Sequence, residues 1–389
     1  MSKPITTFED FIKRILKVVF WVVAFMIFII VPIYYLLDAA FHFPLDIFAI
    51  ATTKPQQMIS LTQSILSSEP TKTIFALAVF PGFTWVAVYG TILMGWVERK
   101  FTAKIQLRTG PMYAGKVEGI GQNVADFFKL AFKEMIIPYG VDKATFVAVP
   151  LALMAVAGAL VALVPVSPAI YIADPPVGAV MVFAVLGFTP LIVLLAGWAS
   201  NSKYSFLGGL RALHQMVAYE IPLVLSLVGA VILSGSLDLL NIVAAQSSLW
   251  YIVLQPLGAI VFFIGALAEL ERIPFDIPEA DTELVAGWQT EYSSMLYGTF
   301  QLANFTRMYV MAGLFTTFFL GGWLGPAPVP PVAWFVLKVT VVSILMMLPR
   351  SIMPRIRIDM MLRAGWVRLL VLAFANIFLT MLIVSLGVR

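Results

Sequence analysis

Residues 268–295 read AELERIPFDIPEADTELVAGWQTEYSSM, and this stretch decides how the rest of the chain is read. Seven of the 21 carboxylates fall within 23 residues: Glu269, Glu271, Asp276, Glu279, Asp281, Glu283 and Glu291. Thirty uncharged residues, 239–268, precede them, and no charge follows until Arg307. Acids crowded between two segments of hydrocarbon length cannot all be ionised, dry and unpaired. They are wet, paired or protonated, and each state points to proton or ion handling at a membrane boundary.

Outward from that loop the chain is apolar. Hydrophobic residues make up 61% and charged residues 12%, where a soluble domain carries about 25% charged residues. Mean hydropathy is +0.95. Runs of the roughly 20 apolar residues that cross a bilayer occur at 18–37, 73–97, 144–165, 175–199, 221–236, 250–268, 293–322, 332–348 and 369–386. The expected fold is an all-α polytopic membrane protein of about nine transmembrane helices, with two structured cytoplasmic loops and interfacial helices. The first apolar run exceeds a signal-peptide core and reads as an anchor. Residues 1–72 form an extra helix and an outer loop beside an eight-helix core at 73–389.

Charge sets the orientation. The N-terminus and the even-numbered connections hold 20 of the 25 Lys and Arg, so that face, with both long loops, is cytoplasmic by the positive-inside rule. The expected location is the plasma membrane. Lys54, Lys72 and Arg389 fall on the other face, and Arg307 and Lys338 fall inside spans. With no cysteine, disulfides, iron–sulfur clusters and thiolate metal sites are excluded from this chain. His42 and His214 lie on opposite faces and cannot share a haem. No cofactor is expected to bind, and the net charge of +4 reflects cytoplasmic-face lysine and arginine rather than a nucleic-acid partner.

The first long loop, 96–138, is broken by Gly110-Pro111, Gly115, Gly119 and Gly121. Phe127, Phe128, Leu130, Ala131 and Phe132 with Lys129, Lys133 and Glu134 read as a short amphipathic helix in the interface. In the second loop, Pro274 and Pro278 forbid a continuous helix, and Glu279 to Glu283 should open a new one with acids at its positive end. Composition alone is met by an interfacial helix stapled by charge pairs and by a solvated acidic loop that docks a basic partner.

Order and spacing say more. Glu98-Arg99-Lys100, Gln106, Arg108, Gly110-Pro111, Gly119, Ala125-Asp126, Lys129-Leu130 and Lys133-Glu134 fall in one series. Pro274-Phe275-Asp276, Pro278-Glu279-Ala280-Asp281, Glu283-Leu284-Val285, Gly287 and Glu291-Tyr292-Ser293 form a second. Residues 198–211 (WASNSKYSFLGGLR) running into Tyr219-Glu220-Ile221-Pro222 form a third. Together they resemble the membrane subunit, bacterial or mitochondrial, that carries the quinone site of respiratory complex I. The resemblance covers about four-fifths of the chain, from Thr73 onward.

The resemblance implies a curved helical sheet with no bound cofactor, a lipid-soluble quinone as substrate, and iron–sulfur clusters held by partner subunits. The implied partners are peripheral-arm subunits bearing the terminal cluster, small membrane-arm subunits and antiporter-like subunits. It assigns the quinone tunnel to Arg99, Lys100, Gln106, Arg108, Phe275 and Asp276. It assigns a proton path to Asp126, Glu220, Glu269, Glu279, Asp281, Glu283 and Glu291. At the interface, the Arg99 guanidinium can serve a quinone carbonyl or a lipid phosphate equally well. Glu220, assigned to the fifth span, is costly at that depth unless water or a cation reaches it.

Several positions depart from the family pattern. A second Glu-Tyr pair is replaced by Asn304-Phe305, and Asn304 cannot exchange protons. Arg307, three residues on, is a compensating charge for which Glu291 or a neighbouring subunit's carboxylate is the expected partner. Asp281 replaces a glutamate, and Glu271 adds a charge. Lys338 either snorkels or faces another subunit. His214 reads as a polar interface residue. The arginine-rich run 348–366, ending in Gly365-Trp366, reads as an interfacial basic segment that also contacts a peripheral subunit. Two other readings stay open: the equivalent subunit of a membrane-bound hydrogenase or of a reduced-deazaflavin dehydrogenase, and an independent proton-coupled transporter, against which no internal repeat is visible.

Overall fold

The computed structural model describes residues 93–115, 119–168, 171–326, 329 and 331–386, and of Asp281 and Thr282 the backbone alone. The expected first span, the outer loop within 1–72 and most of the second span lie outside the described residues. Among those described, every regular element is a helix.

The end of the second expected span continues as α1 (Gly95–Ile105). The first loop then forms α2 (Gln122–Phe132), of which only Asn123 is buried. Phe127, Phe128 and Phe132 are 51%, 52% and 85% exposed, an apolar face suited to an acyl–headgroup boundary. Next come α3 (Lys143–Leu163), then α4 (Gly178–Leu186) and α5 (Phe188–Ala199), which together make one interrupted span. After them α6 (Lys203–Ser234) runs for 32 residues, roughly 48 Å at 1.5 Å per residue, longer than a hydrocarbon core of about 30 Å.

α6 corrects an expectation. Residues 203–215 belong to this helix and not to a connecting loop. Gly209 serves close packing: it lies against the α5 backbone at Val193 and Gly197, and a methyl group at Gly197 would lie 2.5 Å from the carbonyl oxygen of Ser205.

The sixth expected span is also broken. α7 (Leu239–Ala244), capped by Asp238 through the Leu240 amide at 3.0 Å, and α8 (Tyr251–Leu254) precede α9 (Pro256–Glu269). The break falls at Gln255, whose amide donates to Thr380 Oγ1 at 2.8 Å, and Pro256 opens the next helix without a donor to satisfy. α10 (Asp281–Leu284) is a single turn where a helix was expected, and a 3-10 turn follows at Gly287–Gln289. Then come α11 (Ser294–Phe319), α12 (Pro331–Ile352), α13 (Ile358–Arg363), a π turn at Ala364–Leu369, and α14 (Leu370–Ser385).

Among the described residues five segments are long and apolar enough to cross a membrane: α3, α4 with α5, α6, α12, and 358–385. Of the expected nine, the first and most of the second lie outside the described residues, and two more fall short in length or apolarity. One reason is the break at Gln255. Another is α11, whose apolar run is diluted by Asn304, Arg307 and several hydroxyl side chains, although it is buried at almost every position from Thr306 to Phe319.

α6 and α11 organise the packing. α6 contacts α5, α9 and α14, while α11 contacts α3 and α12. Lys338, expected to snorkel or to face a partner, does neither. It is 6% exposed, donates to the carbonyls of Leu320, Gly322 and Leu324 at 2.6, 3.0 and 2.6 Å, and lies 4.3 Å from the Trp250 ring. It caps the C-terminal end of α11, where unpaired carbonyls and the helix dipole favour a cation. His214 Nδ1 lies 2.7 Å from the Leu210 carbonyl within its own helix.

Candidate functional site

The acidic loop is pinned before any of its charges matter. Trp288, fully buried, meets Phe300 edge-on at 4.8 Å, Phe300 meets Tyr292 at 4.8 Å, and Tyr292 stacks on Phe146 at 4.1 Å. Such ring pairs add about 0.5–1.5 kcal/mol each beyond burial. On the other side α6 presents Gly208, where a methyl group would lie 2.6 Å from the Trp288 amide nitrogen. Gly287 has φ +55, and a side chain there would collide with the Pro278 carbonyl. The two long loops are also sewn together. Ser294 Oγ donates to the Lys133 carbonyl at 2.7 Å, and the Ile136 amide donates to Ser293 Oγ at 3.1 Å.

At the centre of this joint stands Glu98, 3% exposed, which accepts from both Arg272 and Arg350. Burial alone would raise its pKa, but the two guanidiniums outweigh that and hold the carboxyl below the usual glutamate range. One carboxylate thus ties α1 to the acidic loop and to α12. Arg350 extends the Glu98 pair to the end of α12, and Arg272 also lies 5.4 Å from the Phe305 ring.

The acids of the loop divide by environment. Glu269, 2% exposed, meets Arg307, 1% exposed. The Arg307 Nη2 donates to the Glu269 carbonyl at 2.6 Å and to Oε1 at 3.2 Å. The partner of Arg307 is therefore Glu269 and not Glu291. Glu271 accepts from Trp288 Nε1 at 3.3 Å, and its burial pushes its pKa up to about 7 against the pull of Arg307. Glu279 accepts from Gln289, and burial, then Glu271 and Asp276, push it up to about 8. Asp276 pairs with Arg355 at 2.8 Å, which docks the C-terminal arginine-rich segment onto the loop. Glu283 is exposed and pairs with Arg211. Glu291 is half-buried before α11, and the side chain of Asp281 lies outside the described residues.

Glu220 lies on α6 within electrostatic reach of Glu269. Its Oε1 sits at the break between α4 and α5, 3.1 Å from where a Gly187 methyl group would be. The chain interruption makes room for the carboxylate.

A cavity of about 340 Å³ opens between α1, α2 and the first turns of α11. Arg99, Asn123, Asp126, Phe127, Tyr297, Gln301 and Phe305 are on its wall. Arg99 pairs with Asp126 at 2.6 Å, and Gln122 donates to the second oxygen of Asp126 at 3.2 Å. Of the tunnel candidates only Arg99 lines this cavity. Lys100 is buried. Gln106 and Arg108 pair at 2.9 Å on the exposed turn after α1. Phe275 packs on the Tyr219 ring at 5.0 Å. Asp126, placed on the proton path by resemblance, lies on the cavity wall.

Four residues of this arrangement were not singled out from the sequence: Glu98 as a paired buried acid, Arg350 as its partner, and Gln289 and Gln301. A charge directly after an apolar run was a usable signal for Glu98. The glutamines offered none, because an amide in an apolar helix is ordinary. Among the described residues no group of three His, Cys, Asp or Glu side chains could hold a metal ion.

Comparison with known proteins follows this geometry. Residues 77–381 match the family model described as NADH dehydrogenase. The H-type subunit of the NADH-quinone oxidoreductase of Bacillus thuringiensis (strain Al Hakam) is 46% identical over 317 residues, covering 80% of this chain and 94% of the relative. Proteins of the same name from Bacillus cytotoxicus and from Bacillus anthracis (strain CDC 684 / NRRL 3495) are also 46% identical, over 316 and 317 residues, with the same coverage. The matched region holds both long loops, the cavity and every buried acid described above, and the chain belongs to the NADH dehydrogenase family.

Proposed function

We propose that this chain is the quinone-access and proton-coupling membrane subunit of a complex-I-type oxidoreductase. One observation carries the reading: an apolar-walled cavity at the foot of α11 is backed directly by buried, paired carboxylates. Phe305 lines the cavity, Arg272 lies 5.4 Å from that ring, and Arg272 pairs with the buried Glu98. A change of charge in or near the cavity is therefore felt by carboxylates whose own pairing is finely balanced. Several acids within reach of one another titrate as a group.

In this reading the core, 73–389, contributes the entrance of the quinone tunnel and no redox centre. The iron–sulfur cluster that reduces the acceptor sits in a peripheral partner, for which Arg357, Arg363 and Arg368 form a basic docking face. Small membrane-arm and antiporter-like subunits flank the helices. The chain crosses the plasma membrane with its charged end in the cytoplasm, and α2 lies in the interface. Glu220, Glu269, Glu271 and Glu279 form the proton path, with Arg307 paired to Glu269 where Asn304 interrupts the usual acidic series.

The test uses the assembled complex. Arg99→Ala removes the guanidinium at the cavity wall and should raise the apparent KM for a decyl-substituted benzoquinone. An unchanged KM would leave Arg99 with a lipid or structural role only. Glu220→Gln should lower the proton-to-electron ratio more than it lowers assembly, and normal pumping would remove Glu220 from the path. Proton flux through the purified chain alone in liposomes would favour the transporter reading.

A further inference from the structure

A line of hydrogen bonds leads from the cavity to the acid centre. Gln301, on the cavity wall, donates through Nε2 to Tyr297 Oη at 2.9 Å and reaches Gln289 Oε1 at 3.5 Å. Gln289, 4% exposed, donates in turn to Glu279. Neither glutamine is ionisable, so the line cannot store a proton. It can transmit polarity, because a carboxamide has one donor end and one acceptor end.

In the arrangement seen Glu279 accepts, as its carboxylate form requires. A carboxylate offers only acceptors, so the Gln289 NH2 turns toward it and the Gln289 carbonyl faces Gln301. Gln301 then spends an N–H inward. If Glu279 takes up a proton, its O–H donates, and the Gln289 amide can turn over with its carbonyl toward Glu279. Its NH2 then faces Gln301, whose carbonyl must turn inward, leaving the Gln301 NH2 to the cavity. The wall becomes richer in donors when Glu279 is neutral and poorer when it is charged.

We propose that Gln289 and Gln301 form an amide relay that ties the proton on Glu279 to the hydrogen-bonding character of the cavity wall, so that the cavity distinguishes an oxidised quinone from its hydroquinone. A quinone carbonyl only accepts and is favoured by the donor-rich wall. A hydroquinone brings its own donors and is favoured by the other state. The proposal rests on the acceptor occupying this cavity, as inferred above.

The groups that act on Glu279 are Glu271 and Asp276 of its own segment, which oppose its ionisation, and Arg272 and Arg350, the latter from α12, which favour it. The balance places its titration at about 8, within the range where such a complex can be assayed. By linkage, a ligand that favours the protonated form must bind more weakly as pH rises through that value.

The experiment measures equilibrium binding of a decyl-substituted benzoquinone and of its hydroquinone to the assembled complex, without electron donor, across pH 8. Quinone affinity should fall with rising pH, by up to about tenfold per unit for one linked proton, while hydroquinone affinity rises. Gln289→Leu, and independently Gln301→Leu in case the buried variant does not assemble, should abolish both slopes. Retention of the slopes in either assembled variant overturns the relay. Phe305→Ala separates the two levels. If it leaves quinone binding unchanged at every pH, the ligand does not sit in this cavity and the underlying reading fails. If it weakens binding while Gln289→Leu and Gln301→Leu keep the wild-type slopes, the relay alone fails.

Discussion

A single nitrogen of Arg307 clasps Glu269 twice, at its backbone carbonyl, 2.6 Å away, and at its carboxylate, 3.2 Å away. The carbonyl belongs to the last turn of α9, where unpaired carbonyls carry the negative end of the helix dipole. One cation thus neutralises a helix end and a side chain at once. Glu269 Oε2 and Arg307 Nε find no hydrogen-bond partner among the described residues, which leaves the pair dependent on each other.

That dependence predicts a non-additive pair of mutations. Arg307→Gln leaves a buried carboxylate without its cation, and Glu269→Gln leaves a buried cation without its carboxylate. Each should cost about 3–5 kcal/mol. The double variant, with two neutral amides, should recover most of that loss. Thermal midpoints of the detergent-solubilised chain for the four forms of the cycle measure the coupling, and additive losses would deny it.

Stability should fall as pH rises from about 4.5 to about 8. Glu271 and Glu279 hold protons to about 7 and about 8, above the 4.5 of an unconstrained glutamate. Between about 4.5 and about 8 the folded state therefore binds more protons than the unfolded one, so stability declines with rising pH and levels off beyond. Glu279→Gln removes its share of the slope. Melting curves at successive pH values check this, and a rising profile would contradict it.

Gly208→Ala tests the seat of the loop. The added methyl group faces backbone, the Trp288 amide at 2.6 Å, which cannot swing aside as a side chain tip would. The cost should be about 1–3 kcal/mol, accompanied by faster proteolysis within 276–290. A variant as resistant as the parent would place the loop's anchorage elsewhere.

Glu98→Gln should weaken the joint between the loops. It leaves Arg272 and Arg350 facing each other without the shared carboxylate. A loss of about 3–5 kcal/mol is expected, read as a lower thermal midpoint and poorer assembly with partner subunits. Glu98→Asp should recover part of it by restoring the charge.

Much of this protein was legible before its structure. Helical spans, the amphipathic α2, the acidic loop and the family match follow from composition, spacing and motif order, all of which are local properties of the chain. The misreadings came where tertiary packing overrode a local cue. Residues 203–215 look like a connection, yet they continue α6, where Gly209 lets α5 approach and Gly208 lets the acidic loop do so. Lys338 looks like a misplaced interfacial cation, yet a helix end 14 to 18 residues away in sequence supplies its three carbonyls.

By itself the sequence determined the membrane class, the family, and which segments carry charge. Partner choice was decided only in three dimensions: Glu98 meets Arg272 and Arg350 across 174 and 252 residues, and Arg307 meets Glu269 across 38. Such pairings depend on the rotation and offset of packed helices, to which no residue's near neighbours are sensitive. The same holds for Gln289 and Gln301, two amides given meaning by what lies at either end of them.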